Sequence, residues 1–163
     1  MKLTLLVLAM VSSASTVLAS GNKSGQGLFS LSGVALGKTS QQEANSEGCV
    51  QGRGNFCTKD GTVFYFNPAN NTYFSLTKKA SEPAAWPDKW YNMGLNTSLN
   101  WREAFGWMES VGLQPGKEGD KLIGTMITSK RFLRIAISFS NSRISEVNLL
   151  STPRPQYERP AGL

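Results

Sequence analysis

Residues 121–151 read KLIGTMITSKRFLRIAISFSNSRISEVNLLS. The middle of this stretch decides the fold. Leu133, Ile135, Ile137 and Phe139 alternate with Arg134, Ala136, Ser138 and Ser140. Successive side chains of a strand point to opposite faces, so this pattern is a strand with one buried and one wet face. The flanking runs, Lys121 to Thr128 and Arg143 to Ser151, are further strand candidates. Three strands in succession with short connections predict an antiparallel meander.

Immediately upstream the period changes from two to 3.6. Trp101, Ala104, Phe105, Met108 and Val111 recur at helical spacing and define one apolar face, with Trp107 on its flank. Asn100 and Glu103 have the spacing of an N-cap and its reciprocal acid, with Ser98 as a rival cap. Gly112 suits the left-handed residue that ends a helix. Leu113 to Gly119 reads as a Gly/Pro loop between this helix and the meander.

The same order of elements precedes it. Ser40 and Glu43 have capping-box spacing and start a short helix that Gly48 would end. Three strand candidates follow: Asn55 to Lys59, Thr62 to Phe66 and Thr72 to Thr77. Asp60-Gly61 is a tight-hairpin signal and Asn67-Pro68-Ala69-Asn70-Asn71 is turn chemistry. Between the two passes, residues 78–92 contain Pro83 and Pro87 and read as a linker without regular structure.

The chain is therefore expected to be α+β. Two tandem repeats, 28–77 and 93–151, each carry a short helical segment followed by a three-stranded antiparallel meander, with the helices packed on one face of the sheet. Residues 20–27 are expected to be a flexible arm and 152–163 a Pro-rich tail. The echoes between the halves are Leu36 to Ser40 with Glu43-Ala44, and Leu95 to Ser98 with Glu103-Ala104.

With the helix entry Gly33-Val34-Ala35-Leu36-Gly37-Lys38-Thr39-Ser40, this organisation resembles the beta-lactamase-inhibitory-protein-like repeats. It also resembles the related small outer-membrane assembly lipoproteins of the SmpA/OmlA type. That resemblance covers Leu28 to Ser151 and implies one concave sheet made from two copies, and a binder rather than an enzyme. No Cys follows the expected cleavage site, so the lipid anchor of the lipoproteins is not carried over.

The start of the chain speaks to compartment. Lys2, the apolar run Leu3 to Val11, and Val17-Leu18-Ala19 before Ser20 form the three parts of a secretory signal peptide, residues 1–19. A secreted or periplasmic protein is expected, with no transmembrane segment in the mature chain. Cys49 and Cys57 then read as a disulfide closing a Gly-rich loop. A loop of this size contributes about 2–3 kcal/mol in the chain-entropy model.

Composition narrows the chemistry. The chain has 163 residues, a 40% hydrophobic fraction and a net charge of +6, which suits one folded domain with acidic or polyanionic partners. The cations are dispersed, Lys78-Lys79 and Lys130-Arg131 being the longest clusters, with Arg134 close by, so nucleic acid is not expected and the clusters read as solvated surface. There is no His, which removes the usual general base and the commonest zinc ligand. Gly37-Lys38-Thr39 imitates the end of a P-loop, but Ser32 stands where its first Gly should be. The 11 carboxylates are scattered and announce no catalytic pair. Asn70-Asn71-Thr72 and Asn96-Thr97-Ser98 match glycosylation acceptors and are read here as turn and cap residues. No catalytic residue, metal ligand or cofactor is expected.

The surplus aromatics point instead to binding. Trp86, Trp90 and Tyr91 lie at the linker, Tyr65 and Tyr73 in the first meander, and Trp107 beside the helix face. Exposed Trp and Tyr dominate protein interfaces, so these six are the candidate partner-binding residues; the alternative is that the linker folds back and buries its aromatics. The expected function is an exported, non-enzymatic protein-binding module of the cell envelope or secretome, of inhibitor or assembly-factor type. Its partner would be an exported or envelope protein, with an acidic surface favoured. Two other classes stand beside it: a structural envelope protein on an anionic polymer, and a carboxylate-dependent hydrolase of envelope polymers.

Overall fold

The structure is a computed structural model and describes residues 24–81 and 86–154. The expected signal peptide, the start of the expected arm and most of the C-terminal tail lie outside the described residues. The chain is α+β, with an antiparallel sheet as its frame.

A 3-10 turn, Gly25–Phe29, leads into a small hairpin of β1 (Ser30–Leu31) and β2 (Val34–Ala35). Helix α1 (Gln41–Ser46) follows, then strands β3 (Val50–Gln51), β4 (Phe56–Lys59), β5 (Thr62–Asn67) and β6 (Thr72–Lys79). Next come helices α2 (Asp88–Asn92) and α3 (Trp101–Ser110). Strands β7 (Gln114–Glu118), β8 (Lys121–Ile127), β9 (Arg131–Ser140) and β10 (Arg143–Pro153) complete the fold. The eight strands β3 to β10 form one sheet in the order β3-β4-β5-β6-β10-β9-β8-β7. Each meander runs inward from its own edge, and the last strand of each pairs with the other at the centre, Leu76 opposite Leu149.

Local chemistry explains the elements. Both α1 and α3 begin with a complete capping box, Ser40 with Glu43 and Asn100 with Glu103. Asp60 and Gly61 both adopt positive φ, the two-residue hairpin geometry that the pair predicts. Asn70 accepts from the Thr72 hydroxyl, and Asn96 from the Ser98 amide and hydroxyl, so both Asn serve turns. The Cys49–Cys57 disulfide is present and ties the exit of α1 to β4.

Cross-strand partners share a face, which identifies the two sides of the sheet. Phe64, Leu76, Leu149 and Ile135 line up across one side, and their core includes Ala44 of α1, Trp90 of α2, and Ala104 and Met108 of α3. Gly124 lets α3 approach closely, since an added Cβ would stand 2.9 Å from Met108 Sδ. The other side carries Tyr65, Ser75, Leu150, Arg134 and Thr125 in one row. Ile123 and Ala136 are buried on that side but do not belong to the helix-covered core. Among the described residues, no helix packs there.

The structure corrects several expectations. Each meander has four strands rather than three, because Val50–Gln51 and Gln114–Glu118 pair at the two edges. The supposed Gly/Pro loop after α3 is thus β7, in which Pro115 is tolerated because an edge strand has no second neighbour to receive its N–H. Residues 78–92 are not a structureless linker: Lys78 and Lys79 extend β6, and Pro87 caps α2, where a missing N–H costs nothing. Lys78 is not solvated surface either; it is fully buried and donates to the Asp60 carbonyl. The expected arm is ordered from Gly25, whose N–H donates to the Val111 carbonyl at 2.8 Å. Thr152 and Pro153 belong to β10 rather than to the tail.

Candidate functional site

The six aromatics expected to bind a partner separate into buried and exposed sets. Trp90 is fully buried, and Trp86 stacks on it edge to face at 5.1 Å. The indole N–H of Trp86 donates to the Leu95 carbonyl at 2.8 Å, which is how a buried indole keeps its polar end satisfied. Trp107 is likewise buried and donates to the Met93 carbonyl at 2.8 Å. Tyr73 lies inside against Phe64 and Phe66, with its hydroxyl accepting from Gln51 Nε2 at 2.9 Å. These four are core residues and not contact residues.

Two physical reasons account for the misplacement. The register shifts between Tyr65 and Phe66, so that Tyr65 faces Ser75 but Phe66 faces Tyr73. Phe74 is the extra residue of this bulge, and an extra residue exchanges inside for outside along a strand. Simple alternation from Leu76 would have put Phe74 inside and Tyr73 out. In α3 the buried stripe is rotated: Ala104, Trp107 and Met108 face the core, whereas Trp101 is 39% exposed and stacks on Phe105.

Tyr65 and Tyr91 are exposed, at 39% and 50%. They do not share a surface, because Tyr91 belongs to the helical layer and Tyr65 to the open side of the sheet. Around Tyr65 the open side mixes apolar side chains with polar ones such as Ser75, Thr77 and Asn148. Phe56 stands opposite it with ring centroids 6.5 Å apart. Leu150 lies in the same row, and Phe132 pairs with Ile127, itself 65% exposed, toward one end. Arg134 sits within this surface and is ion-paired with Glu118. Tyr65 is the one predicted contact residue on this face. Phe56, Leu150 and Ile127 went unmarked because each belongs to a strand whose outward phase is fixed by its pairing, whereas Phe132 continues the wet phase of Arg134 and Ala136 and was legible from that alternation.

A second feature lies on the helical side. A cleft of about 540 Å³ opens between the β1–β2 hairpin, the turn into α1, and the β8–β9 connection. Its lining includes Phe29, Leu36 and Leu133, with Lys38, Lys130 and Arg131 as its charged groups. Arg131 is held from several directions. Its Nε donates to Ser151 Oγ at 2.7 Å, its Nη2 to the Ser151 carbonyl at 3.0 Å and its Nη1 to the Gly37 carbonyl at 3.2 Å. Gly37 adopts φ +75°, which favours glycine, and a Cβ there would come within 2.1 Å of Arg131 Cζ, so any other residue must also displace the guanidinium. Burial alone holds the Arg131 pKa below its ordinary value. The sequence had marked Lys130-Arg131 as solvated surface. The spacing of 94 residues between Gly37 and Arg131 gives no local signal that they meet.

No protein-family model matches the chain, and no curated protein matches it. Among solved structures it is similar to the crystal structure of a DUF4309 family protein (YjgB) from Bacillus subtilis subsp. subtilis str. 168. The two are 13% identical, the match covers 78% of this chain and 90% of that chain, and the TM-score is 0.46.

Proposed function

We propose that this chain is an exported, non-enzymatic binding module that holds another exported or envelope protein against the open side of its sheet. The observation that carries the reading is the one-sided distribution of the helices. They pack on the side lined by Phe64, Leu76, Ile135 and Leu149, and leave Phe56, Tyr65, Phe132, Ile127 and Leu150 displayed on the other. Exposed aromatic and aliphatic side chains on a sheet face without a covering helix are typical of a surface met by a partner. We also infer that the two halves are repeats of one unit. Support comes from their matching order, a capped helix followed by four strands, and from the way both meanders run from an edge to the centre.

The test is affinity capture from envelope extracts with the oxidised mature chain, residues 20–163. A single stoichiometric protein partner is expected. Tyr65→Ala combined with Phe132→Ala should weaken that capture at least tenfold while leaving the melting temperature nearly unchanged. Capture that is indifferent to both substitutions overturns the assignment of this face. Mass spectrometry of the chain recovered from its native compartment should give an N-terminus at Ser20, and a retained Met1 would count against export.

A further inference from the structure

The cleft beside Arg131 is on the opposite side of the sheet from the proposed protein-binding face. A guanidinium has five N–H donors. The three bonds of Arg131 within the described residues all go to neutral oxygens, those of Ser151 and Gly37. Each Nη therefore keeps a second N–H. Among the described residues no carboxylate lines the cleft, while Lys38 and Lys130 add two more positive charges, both exposed. A partly desolvated guanidinium without an acid is costly unless an anion reaches it.

The cleft also holds more than an ion. Its volume falls in the range of small-molecule sites, roughly 300–1,000 Å³. Phe29, Leu36 and Leu133 give it an apolar floor, and each is buried in the core beneath. The arginine is positioned before any ligand arrives, because Gly37 and Ser151 fix its plane from two elements far apart in the chain. Preorganised bidentate donors are the usual means of selecting an oxyanion.

We propose that this cleft binds an amphiphilic anion, with an oxyanion head held by Arg131, Lys38 and Lys130 and an apolar body laid over Phe29, Leu36 and Leu133. The head is read by charge-assisted hydrogen bonds and the body by burial. A free organic acid and the carboxylate end of an apolar peptide present the same chemistry.

The experiment is a titration of the mature chain, followed by backbone NMR and calorimetry, with four probes below their micelle-forming concentrations. These are decanoate, decanol, acetate, and a tripeptide ending in a free leucine carboxylate. Decanoate is expected to shift the amides of Gly37, Lys38, Arg131 and Ser151, and to bind at least tenfold more tightly than decanol or acetate. The relative affinity of the tripeptide and of decanoate then identifies the natural source. Arg131→Gln should abolish decanoate binding. Because Arg131 also ties elements together, the Lys38→Gln/Lys130→Gln double variant is the control for folding. It should lose affinity several-fold at an unchanged melting temperature. Equal binding of decanol and decanoate, or decanoate binding untouched by the double variant, overturns the proposal. Decanoate is not expected to compete with protein capture on the open face, so the two readings fail separately.

Discussion

The half of the sheet made by β3–β6 follows a six-residue helix that buries one side chain, Ala44, and lies beside the entry of α2, where Trp86 to Lys89 meet Asp60 and Thr62. The half made by β7–β10 rests on a ten-residue helix that buries Ala104, Trp107 and Met108. The two halves nevertheless meet edge to edge at the centre and share one core. The first half makes up the difference by other means. It has the Cys49–Cys57 disulfide and a cluster of rings, Phe64, Phe66 and Tyr73. The strands of the second half are mainly aliphatic and bring Leu122, Leu133, Ile135, Ile137 and Val147 to the shared core. Where a helix brings little apolar area, a covalent link and aromatic packing hold the same layer together.

Paired truncations would put this comparison at greatest risk. Phe64→Ala should cost about 3–5 kcal/mol and Met108→Ala about 2–5 kcal/mol in chemical denaturation, since each removes a fully buried side chain. A cost under about 1 kcal/mol for Phe64→Ala would mean that rings do not carry the first half. Replacing Cys49 and Cys57 by Ser should cost about 2–3 kcal/mol. Hydrogen exchange should then show β4 and β5 losing protection before β8 and β9. Uniform loss across the sheet would dissolve the distinction between the halves.

Two glycines sharpen the comparison further. Gly37 and Gly112 both have positive φ, where an L-residue costs about 1–2 kcal/mol. At Gly112 an added Cβ would make an ordinary contact with Met126 at 3.6 Å, whereas at Gly37 it would collide with Arg131. Gly37→Ala should therefore destabilise more than Gly112→Ala in thermal melts, and equal costs would show that Arg131 moves aside freely.

The smallest effects are at the helix starts. Asn100→Ala and Ser40→Ala should each cost about 1 kcal/mol, with the larger loss at Asn100 because α3 carries more of the core. The Ser40 backbone N–H, followed by the Ser40 hydroxyl, holds the Glu43 carboxyl below its ordinary pKa. A depressed carboxylate stabilises the fold above its unfolded pKa, and this contribution is lost as pH falls through the folded value. The melting temperature of wild type should exceed that of Glu43→Gln near neutrality and converge with it in acid. A gap that persists in acid would assign the difference to something other than the Glu43 charge.

Elements with local causes were legible in the sequence. The alternation Leu133 to Phe139, the capping boxes at Ser40 and Asn100, the Asp60-Gly61 hairpin and the Cys49–Cys57 pair each depend on residues close in the chain. What escaped depends on pairing at a distance. The bulge that turns Tyr73 inward is a relation between β5 and β6, and the burial of Trp86 and Trp90 needs the whole helical layer. Of the candidate contact residues, Tyr65 and Tyr91 are on the surface. The Arg131 cleft was hidden because Gly37, 94 residues away, becomes its partner only once the two halves of the chain have joined.

The edges of the sheet have one further consequence. Strand β3 is two residues long, and β7 places Pro115 and Gly116 beside the charged Lys117 and Glu118. Short, charged and proline-bearing edges offer a poor template for another strand. Recognition by strand addition, in which an extended peptide pairs with a free edge, is thus discouraged at both ends of the sheet. In the folded protein, edge-to-edge pairing with another copy of the chain is discouraged for the same reason.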